Sequence, residues 1–340
     1  MKNKITSFVM GLVFAASLYS CDFRKKETTT EESQTTSETT MPVAKSNSPA
    51  FNPDSAYQYV AKQVSFGPRV PNTVAHRSCG NYLIQKLKSL GAQVQVQEFE
   101  GTTYDGKKLQ LRNIIGSYNP GAANRILLAS HWDTRPFADK DETNPTTPAD
   151  GANDGASGVG ILLELGRTLN QAQQNPGVGV DIIFFDGEDW GNPNGDENGQ
   201  DSWCLGSQYW AAHKHQANYT ANFGILLDMV GANGAKFAPE GFSQEYAPQV
   251  VTDVWKTANQ IGYSDYFIYK PNGGITDDHK YMTQGGVPSI DIIDYDPTSP
   301  DGTFGKYHHR HTDNMSIIDK NTLKAVGQTL LQVIYNQTAV

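Results

Sequence analysis

The chain has 340 residues, 38% of them hydrophobic, with 36 acidic side chains against 27 Lys plus Arg, a formal net charge of −9 and 3 Cys. That apolar fraction excludes disorder along the whole length, and about 300 residues is where a single core stops growing, so one large domain or a tight two-domain unit is expected. The acidic balance, without a dense Lys/Arg cluster, excludes a nucleic-acid partner, and three Cys make neither a disulfide scaffold nor a thiolate zinc cluster.

Residues 1–20 read as a secretory signal, with Lys2 and Lys4 as a basic start, an apolar run over 5–18 and short residues before Cys21. The run Leu18-Tyr19-Ser20-Cys21 resembles a bacterial lipobox, in which Cys21 becomes the acylated first residue of the mature protein. An ordinary cleaved signal with an incidental Cys is the plainer alternative. No later run is long and apolar enough to span a bilayer. The expectation is therefore a protein held in a bacterial cell envelope by a lipid anchor alone, facing the periplasm or the surface. Residues 22 to about 50 are rich in Thr, Ser and Glu, cannot bury enough apolar surface to offset ordering entropy, and read as a flexible tether. In an oxidising compartment Cys79 and Cys204 can pair, but sequence does not fix the distance between them.

From Phe51 the pattern becomes that of a folded domain reaching to residue 340. Amphipathic helices are predicted at 54–64 and 74–90, the second closed by Gly91, followed by period-2 strands at 93–99 and 109–115. Buried-type apolar strands follow at 125–129, 180–185, 223–229 and 288–293, separated by helices near 156–169, 206–214, 247–261 and 319–335. This alternation is α/β order. The Asn/Asp/Gly-rich stretch 191–201 reads as a long loop. Each buried-type strand runs straight into a polar cluster at its C-terminal end, the edge at which open α/β sheets bind ligands.

Those clusters carry the chemistry. They are Ser130-His131-Trp132-Asp133-Thr134, Asp150 to Gly158, Asp186-Gly187-Glu188-Asp189-Trp190, Asp228, Thr276-Asp277-Asp278-His279, and His308-His309-Arg310-His311-Thr312-Asp313-Asn314. Asp, Glu and His are the ligands zinc takes when thiolate is absent, and a catalytic zinc uses three protein ligands with an open fourth position. Asp154, Asp189 and His311 can supply them, leaving Glu188 free as general acid and base. Blander readings stand beside each. Asp154 can be an N-cap, Glu188-Asp189 the start of a solvated loop, and His131 a satisfied core histidine. His308 and His309 read as surface or supporting residues, and Trp190, Trp203 and Phe304 as core or pocket. Asp228 is less comfortable as a structural residue, because a buried carboxylate needs a partner or a proton.

The segments S-H-W-D-T-R-P-F-A-D, D-G-A-N-D-G-A-S-G-V-G, F-F-D-G-E-D-W-G, L-L-D-M-V-G-A, D-D-H-x-x-M, G-V-P and H-T-D-N resemble, in order, those of bacterial glutaminyl cyclases, relatives of the zinc aminopeptidases. The resemblance covers roughly residue 51 to the end. It implies a mixed central sheet flanked by helices, of the zinc-aminopeptidase type, and one zinc per chain held by Asp154, Asp189 and His311. It further implies that Glu188 transfers protons, and that Asp228 and Asp277 complete an acid network beside it. Animal members have Glu as the middle ligand, so Asp189 departs from them while keeping the charge.

The implied substrate is a peptide or protein with N-terminal Gln, cyclised to pyroglutamate with loss of ammonia. Trp190, Ile275, Trp203 and Phe304 are candidates for the apolar wall around the Gln side chain, and a monomer is expected. The alternative is a two-zinc aminopeptidase of the same fold, with His131 and Asp228 as further ligands and Asp154 bridging. Against it stands Asp277, since aminopeptidases of this type have a small residue there, and three close carboxylates suit proton sharing. A third reading, from another class, is a non-catalytic binding lipoprotein.

Overall fold

A computed structural model describes residues 47–174, 176–195, 201–300 and 303–337. The signal, Cys21 and the tether up to residue 46 lie outside the described residues. Six strands, β1 (Gln93–Thr102), β2 (Lys108–Tyr118), β3 (Arg125–His131), β4 (Gly179–Phe185), β5 (Phe223–Asp228) and β6 (Ser289–Ile293), form one mixed sheet in the order β1-β2-β4-β3-β5-β6. β1, β2 and β4 pair antiparallel, and β4, β3, β5 and β6 pair parallel, with Leu128 beside Ile182 and Ile225 beside Ile290. The continuous apolar character of the four parallel strands follows from this arrangement, because both of their faces are covered.

The helices are α1 (Pro53–Val64), α2 (Val74–Ser89), α3 (Ala156–Gln171), α4 (Leu205–Ala212), α5 (Gly241–Tyr246), α6 (Pro248–Gln260), α7 (Asp278–Gln284) and α8 (Lys320–Tyr335). Strand alternation divides the core. Ile126 and Leu128 face the larger cluster, with Val60, Leu162, Trp255 and Leu330, whereas Leu127 and Ala129 face a smaller one with Trp210 and Met282. The helix predicted over 247–261 is α6, and a short helix that the sequence pattern did not show, α5, stands directly before it. Glu240 caps a six-residue α5, and Ala247 breaks the path before Pro248 starts α6. A helix that short has too few turns to show a period.

Two further expectations shift. The predicted tether ends earlier, because residues 47–49 are bonded to α8: Gln328 Nε2 donates to Ser48 Oγ (3.0 Å) and Pro49 O (3.1 Å), and Asn47 N donates to Gln332 (3.2 Å). Cys79 and Cys204 are both buried and free. Among the described residues no helix is long and apolar enough to cross a membrane.

Candidate active site

The carboxyl ends of β3, β4 and β5, the N-termini of α3 and α7, and the turn before α8 meet around a cleft of about 360 Å³. Its lining includes Asp154, Glu188, Asp189, Asp228, Asp277 and His309, with Arg135 and Lys140 as the cations and Trp203, Ile275 and Phe304 as apolar surface.

Backbone clamps set the ligand positions. Asp133 accepts the backbone N–H of Glu188 (3.2 Å) and of Asp189 (3.3 Å), while Asp313 accepts those of Asn153 (2.7 Å) and Asp154 (3.0 Å). Gly155, not Asp154, stands at the N-cap of α3, and no side chain caps that helix, so Asp154 is free to face the cleft. Gly155 has φ 87°, and a Cβ there would meet Asp133 O at 2.8 Å. Only glycine allows this approach.

The cleft brings Asp154, Asp189 and His309 together. His309 Nε2 lies 3.3 Å from Asp189 Oδ1 and 4.0 Å from Asp154 Oδ2. His311, the sequence-based choice, points elsewhere: its Nδ1 contacts Asp141 Oδ2 at 2.8 Å and its Nε2 meets Thr147 Oγ1 at 3.0 Å. The cause is local. His309 has left-handed backbone (φ 55°) in a turn closed by Arg310 N donating to Tyr307 O (3.1 Å), which sends residues 309 and 311 to opposite sides. Met229 (φ 48°), which lines the same cleft, and Cys204 (φ 60°), which reaches Glu188 behind it, are also left-handed, as expected where a site over-determines an unfavourable conformation.

His308 also offers a ring nitrogen within 4.8 Å of Asp154, but chemistry separates the two imidazoles. Lys140 Nζ lies 2.6 Å from His308 Nδ1, and an ammonium can only donate, so His308 Nε2 carries the ring proton and offers no lone pair. His309 has the reverse arrangement. Its Nδ1 lies 3.0 Å from Asp139 Oδ1, the carboxylate partner that a metal-bound histidine generally has, and Nε2 faces the two acids.

The acids are electrostatically strained. Burial, then the charge of Asp154, pushes Asp189 up, and its Oδ1 has no hydrogen-bond donor among the described residues. Burial likewise raises Asp154, but the hydrogen bond from His131 and nearby imidazoles outweigh it and hold Asp154 below the usual carboxylate range. A buried carboxylate oxygen with no donor, beside a second carboxylate and an imidazole nitrogen, is the O,O,N set that suits zinc. Burial raises Glu188 well above its usual value, opposed by His131 and reinforced by Asp277. Burial, then Asp228, pushes Asp277 up to about 7. Burial also raises Asp228.

His131 is no isolated core histidine. Its Nε2 lies 3.0 Å from Asp154 Oδ1 and 3.1 Å from Asp228 Oδ1, the trio on which a second metal would depend. Trp190, by contrast, leaves the proposed wall. It packs with Val70, Leu109 and Leu111 beneath Lys107, since Asp189 takes the inward direction and its neighbour the outward one. Trp203, Ile275 and Phe304 do line the cleft.

Sequence reasoning missed His309, Arg135, Asp139, Lys140, Cys204 and Asp291. Cys204 Sγ donates to Glu188 Oε1 (3.5 Å). Asp291 is buried on β6 in contact with Asp277, and burial raises it too. Its signal was available, as an acid interrupting the apolar strand Ser289–Ile293. The others lie on turns, where no period exists.

A model of peptidase family M28 matches residues 113–334. A glutaminyl-peptide cyclotransferase of Bos taurus is 26% identical over 77% of this chain and 76% of its own. Among solved structures, a Bacteroides thetaiotaomicron glutaminyl cyclase bound to N-acetylhistamine is 52% identical, with a TM-score of 0.81, covering 86% of this chain and 100% of that one. A Zn-dependent exopeptidase from Parabacteroides distasonis is 54% identical, with the same TM-score, covering 85% and 99%.

Proposed function

Because the chain belongs to peptidase family M28, we propose that it is a zinc-dependent glutaminyl-peptide cyclotransferase, converting N-terminal glutamine of peptides or proteins to pyroglutamate with release of ammonia. The observation that carries this reading is the position of Glu188: next to the Asp154/Asp189/His309 set, in one cleft with Asp228 and Asp277, and raised by burial above the usual carboxyl range. The likeness to the Bacteroides glutaminyl cyclase supports it.

In the reaction the α-amine nitrogen of the substrate bonds to its own γ-carbonyl carbon, and the bond from that carbon to the side-chain nitrogen breaks. A zinc ion held by Asp154, Asp189 and His309 would polarise that carbonyl as a Lewis acid. Glu188 in its carboxylate form takes the proton from the amine and returns it to the departing nitrogen, which leaves as ammonia. A raised pKa suits both transfers. Asp277 and Asp228 hold charge and protons close to Glu188 and so tune when it ionises. Trp203, Ile275 and Phe304 fold the Gln side chain over its own amine and keep water from competing. Ring closure within one substrate requires no activated water, so one zinc per chain suffices.

The His131/Asp154/Asp228 trio and the exopeptidase among the similar structures favour a second reading, a two-zinc aminopeptidase. Metal analysis paired with two assays separates them. About one zinc and ammonia release from Gln-peptides supports the cyclase; two zincs with amino-acid release from general peptides sinks it, and neither metal nor turnover leaves a binding protein. We further infer from the lipobox-like run that Cys21 anchors the chain in a bacterial envelope. Cys21→Ser should then move the protein from the membrane fraction to the soluble one, and retention on the membrane would refute the anchor.

A further inference from the structure

Arg135 is bound more completely than a charge-balancing residue requires. Its side chain is 4% exposed. Nε donates to Asp139 Oδ1 (2.9 Å) and Nη2 to Asp139 Oδ2 (2.8 Å), a two-bond fork that fixes both carboxylate oxygens. Nη1 donates to Asp189 O (3.1 Å) and Gly191 O (3.4 Å). The guanidinium carbon Cζ lies 4.8 Å from the Trp203 ring centroid on the cleft wall and 4.7 Å from that of Phe137. The carboxylate it fixes is the one beside His309 Nδ1.

We propose that Arg135 is a positioning residue that ties the metal-binding imidazole of His309, through Asp139, to the Trp203 wall of the substrate cleft. The inference rests on the zinc cyclase reading above. A carboxylate at Nδ1 selects the tautomer whose Nε2 lone pair faces Asp154 and Asp189 and holds the ring plane there. A free carboxylate can rotate away; one held at both oxygens by a fork cannot. The same group lies over the indole as a cation on its π face, so the third ligand and the apolar wall share one support. Lysine cannot replace it, being a point charge without a plane or a fork.

The test is zinc affinity of the full chain, measured by competition with a chromophoric chelator, for wild type, Arg135→Lys, Asp139→Asn and the double variant. Each single substitution should weaken zinc binding by about 10- to 100-fold, and the double variant should be no weaker than the worse single one, because both cut the same connection. Trp203→Leu, which removes only the indole, should weaken zinc several-fold, and KM for a Gln-peptide at saturating zinc should rise in Arg135→Lys. The thermal midpoint of each metal-free variant shows whether it is folded. Should Arg135→Lys not fold, Asp139→Asn and Trp203→Leu decide the matter. Arg135→Lys binding zinc within twofold of wild type, or fully additive single effects, overturns the proposal. Zinc uptake that is lost in His309→Ala but intact in Arg135→Lys sinks this inference alone. Absence of zinc uptake in wild type sinks both readings, and the expected affinity pattern without ammonia release sinks only the cyclase.

Discussion

Asp313 receives the backbone N–H of Asp154 at 3.0 Å, so one buried acid holds the main chain from which another reaches the cleft. Burial, then the charge of Asp154, pushes Asp313 up to about 7. Asp313→Ala would orphan this donor and that of Asn153 in the interior, which costs about 1–3 kcal/mol each when nothing replaces the acceptor. We expect a lower urea midpoint together with weaker zinc retention. An unchanged midpoint would show that water satisfies both donors.

Glu188→Gln should reduce ammonia release by at least about a hundredfold, the lower end of what a positioned acid and base contributes, while zinc content stays at the wild-type level. Retained turnover would remove Glu188 from its role. Loss of zinc would instead make it a ligand.

The two histidines of the turn should behave oppositely. His309→Ala removes the third donor and should abolish stoichiometric zinc, whereas His311→Ala, breaking only contacts to Asp141 and Thr147, should leave zinc and turnover close to wild type. Metal analysis after gel filtration decides between them, and the reverse result would restore His311 as the ligand.

Stability of the metal-free protein should fall as pH rises. Asp277 keeps its proton in the folded state up to about 7, whereas the unfolded carboxyl loses it near 3.8. Between those values the folded state binds more protons than the unfolded one, so stability declines across that window and levels off above it. Glu188 and Asp291, both raised by burial, act in the same sense. His308 acts oppositely, since burial holds it well below 6.5. Thermal midpoints from pH 5.5 to 7.5 should decline in wild type and decline less in Asp277→Asn, which imitates the protonated form. An equal slope in both would show that Asp277 does not retain its proton.

Trp190→Ala and Trp203→Ala should divide stability from binding. Trp190 is 7% exposed in a satellite core, and its truncation should cost about 3 kcal/mol with KM unaffected at a temperature where the protein is folded. Trp203→Ala should raise KM for Gln-peptides several-fold. Equal KM values in both variants would return Trp190 to the pocket.

Much of this site could be read from the chain because its acids follow directly on apolar strands. Asp228 ends β5, Glu188 and Asp189 stand one short turn beyond β4, and sheet topology alone brings such ends together. Asp154 and Asp277 were legible for a related reason, each preceding a helix that packs on that sheet. The histidine was not. Within His308-His309-Arg310-His311 the side-chain direction depends on one left-handed residue, and no periodicity encodes the sign of φ at a single position. Trp190 failed similarly, one residue past a carboxylate that had already taken the inward direction. Asp139 was invisible because its role lies in a contact with His309, some 170 residues away in the chain, and Arg135 because it acts through Asp139.

The burial and crowding that raise Asp189 also make metal loading an acid–base event. An ion that settles between Asp154 and Asp189 favours the ionised form of both, opposing the upward shift of the Asp189 carboxyl, so protons leave the site as the ion binds. Zinc uptake should therefore acidify an unbuffered solution, and its measured heat should vary with the ionisation enthalpy of the buffer that takes up the proton. Such a site would hold its metal more tightly in alkaline surroundings and release it first where the surroundings turn acid.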